Sequence, residues 1–110
     1  MRESSLRVEL PYAVQLPTGD EATTATVRLL TQKERRELGK RYKSDQMGYT
    51  QALLRTRVVR LGELENVVDE IFDDMPTPVY DFLIEAMVAL DSGFGSVEDY
   101  RASDEYNRTF

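Results

Sequence analysis

Hydrophobic and polar residues alternate near the start of the chain. Leu6, Val8 and Leu10 fall on one side of a predicted strand, with charged residues between them. Pro11 then interrupts the alternation, which is typical of an edge strand or of two short strands. A Pro-Thr-Gly-Asp turn and a stretch rich in β-branched residues follow. The pattern therefore predicts a β-hairpin over residues 6–30.

Helical periodicity replaces the alternation after this hairpin. Thr31 and Glu34 have the spacing of a capping box at the start of a first helix, and Ser44 or Asp45 can cap a second. The last helical segment is apolar nearly all round, which places it at the centre of the core. The predicted helices span residues 32–42, 46–61, 64–74 and 78–90, with Gly62 ending the second and Asn66 able to cap a shorter version of the third.

Together these elements predict an α+β fold, in which an N-terminal β-hairpin precedes a small bundle of three to four helices. The chain has 110 residues, enough for one domain, which we assign to residues 1–92. The hairpin occupies residues 6–30 of this domain and the helices residues 32–90. Residues 93–110 are mostly polar, so we expect them to form a flexible C-terminal tail.

The composition excludes several kinds of chemistry. The chain has no Cys and no His, which removes disulfides, thiol nucleophiles, His-based catalysis and nearly all zinc sites. The carboxylates of Asp69, Glu70, Asp73 and Asp74 cluster, but they lack the glycine and terminal Glu of a calcium loop. We interpret them as the solvated face of a helix. The sequence therefore predicts no enzymatic activity, no metal and no cofactor.

The sequence carries no membrane signal. No apolar run approaches the roughly 18 residues that a membrane span needs. The first seven residues, Met-Arg-Glu-Ser-Ser-Leu-Arg, lack the apolar core of a signal peptide. We therefore expect a cytoplasmic location and no membrane partner.

Charge is divided unevenly along the chain. Residues 1–60 carry a net charge of +5 and residues 61–110 a net charge of −11, within a total of −6. Such asymmetry arises when two halves of a molecule pair with each other, and also when molecules pair with their neighbours. The basic segment at residues 33–43 has the charge to contact phosphates, but the acidic protein as a whole disfavours nucleic acid as a partner. The predicted partner-binding residues are Arg55, Arg57, Arg60, Glu65, Asp69, Asp73, Lys33, Arg36 and Lys40.

The order of these motifs resembles a known family. Leu-Pro-Thr-Gly at residues 16–19 is followed by Arg28, Thr31 and Glu34 in an Arg-x-x-Thr-x-x-Glu pattern. Further motifs are Leu-Leu-Arg at 53–55, Val-Val-Arg-Leu-Gly at 58–62, an acidic segment, a proline break and Tyr-Asp-Phe-Leu at 80–83. Over about residues 6–90, the chain is similar to the small tail assembly chaperones of tailed bacteriophages and prophages. It also resembles small baseplate proteins of contractile phage tails.

This resemblance implies a non-enzymatic binding protein. Tail assembly chaperones are thought to coat the tape-measure protein of the phage tail and to help recruit tube subunits, so it implies a tape-measure or other tail protein as the partner. It also implies self-association and a location in the cytoplasm of the bacterial host. The alternative is a structural component of the baseplate or tail that stays in the virion. A small nucleic-acid-binding protein is a third, less favoured interpretation.

Overall fold

A computed structural model describes residues 4–104 of the chain. Helices and strands follow the order β1 (Ser5–Gln15), β2 (Glu21–Arg28), α1 (Gln32–Arg41), α2 (Gln46–Arg57), β3 (Val58–Leu61), α3 (Asp69–Asp73), α4 (Thr77–Asp91) and α5 (Val97–Arg101). The predicted α+β class and the N-terminal hairpin are therefore confirmed.

The three strands form one antiparallel sheet in the order β1-β2-β3. The prediction of β1 as an edge strand is confirmed, and the pairing is irregular where Pro11 stands. Glu9 lies opposite Thr24 and Val14 opposite Ala22, so four residues of β1 bulge out where β2 has one. A proline has no N–H to donate to a ladder, which explains why the bulge forms at this position.

Strand β3 is a departure from the prediction. Residues 58–61 were expected to end a helix over 46–61, but α2 ends at Arg57. Val27 pairs with Val58 and Ala25 with Leu61, so these four residues extend the sheet. The spacing of the apolar residues is compatible with either structure. The β-branched pair at 58 and 59, together with hydrogen bonding to β2, favours the strand.

Gly62 makes the corner after β3 rather than at the end of a helix. Its φ is +59°, a left-handed conformation that favours glycine, and a Cβ at this position would lie 3.0 Å from the Cβ of Ala22. Leu61 and Leu64 then exchange backbone hydrogen bonds of 2.8 and 3.0 Å, which close a tight turn. This turn prevents the predicted helix over 64–74 from starting at residue 64, and α3 covers Asp69–Asp73 only.

Helix α4 forms the centre of the core, as the sequence predicts. Val79, Leu83, Ala86, Met87, Ala89 and Leu90 are buried on it. The helix packs against β1 and β2, where Leu6 and Val8 are buried. Arg7 and Glu9 alternate with them and are exposed, so the opposite face of the sheet is polar.

The chain continues to pack after α4. Val97 and Tyr100 on α5 are buried, and the rings of Phe94 and Tyr100 have centroids 5.6 Å apart. Arg101 donates two hydrogen bonds, of 2.6 and 2.8 Å, to the carboxylate of Glu85 on α4. The prediction of a flexible tail from residue 93 is therefore wrong for α5. Residues 105–110 of the predicted tail lie outside the described part.

Candidate protein-binding surfaces

Four of the nine predicted partner-binding residues pair with each other inside the molecule. Arg55 on α2 donates to both carboxylate oxygens of Asp69 at 2.8 Å. Arg60 on β3 forms an ion pair with Glu65 in the following loop. All four side chains keep substantial exposure, so these are surface ion pairs, each worth about 1 kcal/mol or less. The opposite charges on the two sides of Gly62 are thus partly paired within one chain.

Arg57 is the buried member of the predicted set. Only 4% of its side chain is exposed. Its two terminal nitrogens donate to the carboxylate of Asp91 at 2.6 and 3.0 Å, and its Nε donates to the carbonyl oxygen of Arg28 at 2.8 Å. Arg57 is therefore not available to a partner, which corrects the prediction. Its place at the junction of α2 and β3 turns it toward β2 and α4 instead of toward solvent.

Asp73 remains on the surface beside α2. Its Oδ1 accepts a hydrogen bond of 3.0 Å from the side chain of Gln51. Burial raises the pKa of the nearby Tyr80 hydroxyl, and the negative charges of Asp73 and Asp81 raise this pKa further. Asp73 thus has an internal contact and still faces solvent.

Helix α1 keeps its cations exposed. Lys33, Arg36 and Lys40 are exposed, and Leu38 is the residue that buries this helix against the rest of the protein. Within residues 4–104 no carboxylate lies within ion-pair distance of these three cations. Of the predicted partner-binding residues, these three are the ones that the fold leaves most available to another molecule.

A compact cluster of polar side chains joins the start of α1 to the end of β2 by hydrogen bonds. Arg28 donates from its two terminal nitrogens to the two carboxylate oxygens of Glu34, at 2.9 and 2.6 Å. Glu34 also accepts a bond of 3.0 Å from the Thr31 backbone, and the Thr31 hydroxyl accepts one of 3.2 Å from the Glu34 backbone. The predicted capping box is therefore confirmed. The hydrogen bonds from Arg28, and next those from Thr31, lower the pKa of Glu34 from 4.5 to about 2.

The substitution Glu34→Gln is expected to change how stability depends on pH. Because folding lowers the pKa of Glu34, its ionised form stabilises the protein above pH 4.5, and this contribution is lost as pH falls toward 2. The variant should be less stable than the wild type at pH 7, and the difference should shrink between pH 4.5 and pH 2. Urea unfolding followed by circular dichroism at several pH values measures this. A difference that stays constant down to pH 2 would contradict the role of Glu34.

An apolar groove lies between the bulge of β1 and helix α4. It has a volume of about 650 Å³, and its apolar lining comes from Pro11, Tyr12, Pro78, Phe82, Ile84 and Val88. Tyr12 is 60% exposed and Val88 is 37% exposed. We call this feature the bulge groove. Sequence reasoning missed it, because the periodicity of α4 assigned its apolar residues to the core.

Among residues 4–104, no group of three or more carboxylates is arranged to hold a metal ion. In the same part of the chain, no helix is long and apolar enough to cross a membrane.

Comparisons with protein-family models, with curated proteins and with solved structures found no match to this chain.

Proposed function

We propose that this chain is a non-enzymatic assembly protein of a phage or phage-like tail, acting as a chaperone in the cytoplasm of the bacterial host. Its partner is the tape-measure protein or another tail protein, held through reversible contacts. Copies of the chain also associate with each other, since the exposed cations of α1 and exposed carboxylates such as Glu70 and Asp74 lie on the same molecule.

One observation carries the proposal. The motif on which the resemblance to tail assembly proteins rests is a physically coupled unit in this fold. Arg28, Thr31 and Glu34 are joined by hydrogen bonds of 2.6 to 3.2 Å, and they link the sheet to α1. The spacing of this motif is therefore what the junction between strand and helix requires. It supports the resemblance to those proteins, and the function is inferred by analogy with them.

Residues on α1 supply the most direct candidates for the partner contact. Lys33, Arg36 and Lys40 are exposed cations on a helix that is anchored by Leu38. Exposed cations of this kind contribute mainly to the rate and specificity of association. A partner surface rich in carboxylates fits them best.

Co-purification from phage-producing cells tests the proposal. The tagged full-length chain should co-purify with the tape-measure protein and should be absent from finished particles analysed by mass spectrometry. A variant with Lys33→Glu, Arg36→Glu and Lys40→Glu should recover less partner. The control variant replaces Glu63, an exposed carboxylate outside both α1 and the bulge groove, with glutamine, and it should recover a normal amount.

Two outcomes would overturn the chaperone assignment. Stoichiometric amounts of the chain in finished particles would identify it as a permanent baseplate or tail component. Recovery of no tail protein by the wild-type chain, under conditions where the tape-measure protein is detected in the lysate, would remove the tail function altogether.

A further inference from the structure

We infer that the bulge groove binds an amphipathic helix whose apolar face is flanked by Lys or Arg side chains. This rests on the proposed function only in taking another protein as the partner. The shape of the groove, its apolar lining and the charge on its rim support this inference.

The shape of the groove matches a helix. Pro78, Phe82, Glu85 and Val88 follow each other at intervals of four and three residues, so they share one face of α4. The rise along the helix axis from residue 78 to residue 88 gives a floor about 15 Å long, which is roughly three turns of a partner helix. Tyr12 stands on the other side of the groove. Helix-in-groove binding places side chains at three- and four-residue spacing against such a floor.

The apolar lining supplies anchoring contacts. Tyr12 is 60% exposed although it lies beside the partly buried Phe82. In a regular ladder, the side chain of this residue would alternate with those of its neighbours between the two faces of the sheet. The bulge around Pro11 breaks this alternation and puts the aromatic ring on the surface. Exposed Tyr beside apolar side chains is typical of the residues that dominate binding energy at protein interfaces.

The charge on the rim selects the flanks of the partner helix. Asp81 is exposed at the groove, and no cation among residues 4–104 forms an ion pair with it. A smaller depression shares Phe82 with the groove and adds two carboxylates, Glu9 and Glu98, and one cation, Arg7, to its surroundings. The rim is therefore acidic on balance, and it favours a cationic partner over an anionic one.

The groove already shows how it accommodates a cation. The guanidinium of Arg101 lies 5.9 Å from the centre of the Phe82 ring, and Glu85 holds it with two hydrogen bonds. A cation thus fits against the aromatic floor when a carboxylate is beside it. Asp81 also lines the groove, and its exposed carboxylate can pair with a Lys or Arg from the partner.

A designed peptide tests the inference without any phage component. The probe is a synthetic helix of about 18 residues, long enough to form a helix in water. It carries Leu at intervals of four and three residues and Lys on both flanks of that stripe. The matched probe has Glu in place of every Lys. Fluorescence anisotropy with the full-length chain should give saturable binding of the Lys peptide and at least about tenfold weaker binding of the Glu peptide.

Three variants connect this binding to the groove. Tyr12→Ala should weaken binding of the Lys peptide about tenfold, since it removes the anchoring ring. Asp81→Lys should weaken the Lys peptide and strengthen the Glu peptide. Met47→Ala, at an exposed apolar residue on α2 outside the groove, should bind as the wild type does.

Several results would overturn the inference. These are no binding of the Lys peptide, equal binding of the two peptides, or binding that Tyr12→Ala leaves unchanged. A fourth is a sedimentation shift of the chain alone toward smaller species in Tyr12→Ala, because a second copy would then occupy the groove. The peptide experiment and the co-purification experiment can fail independently, so the groove and the tail function are tested separately.

Discussion

Replacing Tyr100 with alanine is expected to lower the free energy of unfolding by about 3–4 kcal/mol, from the range for truncating buried aromatic residues. Tyr100 is 1% exposed, packs its ring against Phe94 and holds α5 against the domain together with Val97. Domains of this size have a total stability of roughly 5–15 kcal/mol, so the loss would be a large share. Urea unfolding followed by circular dichroism measures it.

Tyr12→Ala is the matched control for this result. It removes the same side chain from a site that is 60% exposed, so its effect on stability should stay within about 0.5 kcal/mol. Equal stability of the Tyr100→Ala variant and the wild type would mean that α5 does not belong to the cooperative core.

The burial of α5 was only partly predictable from the sequence. Ser96 and Asp99 have the spacing of a helix start, and the Ser96 hydroxyl does accept a hydrogen bond of 3.0 Å from the Asp99 backbone. Val97 and Tyr100 follow at three-residue spacing, which indicates one apolar face. The helix has only five residues, too few for a periodic pattern to stand out from the polar residues around it.

Strand β3 could not be separated from α2 by periodicity alone. Leu54, Val58 and Leu61 have helical spacing, and all three are buried. Their burial was therefore predictable, while their backbone conformation was not. The deciding interaction is the pairing of Val58 and Leu61 with β2, a contact between segments far apart in the sequence. Tertiary pairing of this kind overrides local helix preference.

Of the two candidate surfaces, one could be predicted from the sequence and the other could not. The basic character of α1 follows directly from its sequence, and the structure leaves Lys33, Arg36 and Lys40 exposed. The bulge groove combines Tyr12 from β1 with Phe82 from α4, and no local pattern links two residues so distant in the chain. Sequence therefore indicates which helices are charged or apolar, and the fold decides which of their residues meet.

The ion pairs explain why the charge asymmetry is only partly a surface property. Arg55 and Arg60 use the acidic second half of the same chain, through Asp69 and Glu65. Because Lys33, Arg36 and Lys40 of α1 form no ion pair among residues 4–104, they carry positive charge that remains available for contacts between molecules. The proposed contacts with other molecules therefore centre on α1 and the bulge groove, rather than on the stretch where charge is densest.

The second large effect is expected for Arg57→Ala, which should lower the free energy of unfolding by about 3 kcal/mol. Arg57 is buried, and it satisfies both the carboxylate of Asp91 and the carbonyl oxygen of Arg28. Removing one partner of a buried ion pair costs roughly 3–5 kcal/mol. We take the lower end because the Asp91 side chain is half exposed and can be hydrated once its partner is lost. Urea unfolding at pH 7 measures the change.

Arg60→Ala provides the control from the same stretch of chain. Its ion pair with Glu65 is on the surface, so the substitution should cost less than about 1 kcal/mol. The two variants remove the same charge three residues apart, and the buried side chain is the one that also bonds to a backbone carbonyl. Equal losses in both would show that Arg57 contributes no more than a surface charge, and would contradict its assignment as the polar link between β2 and α4.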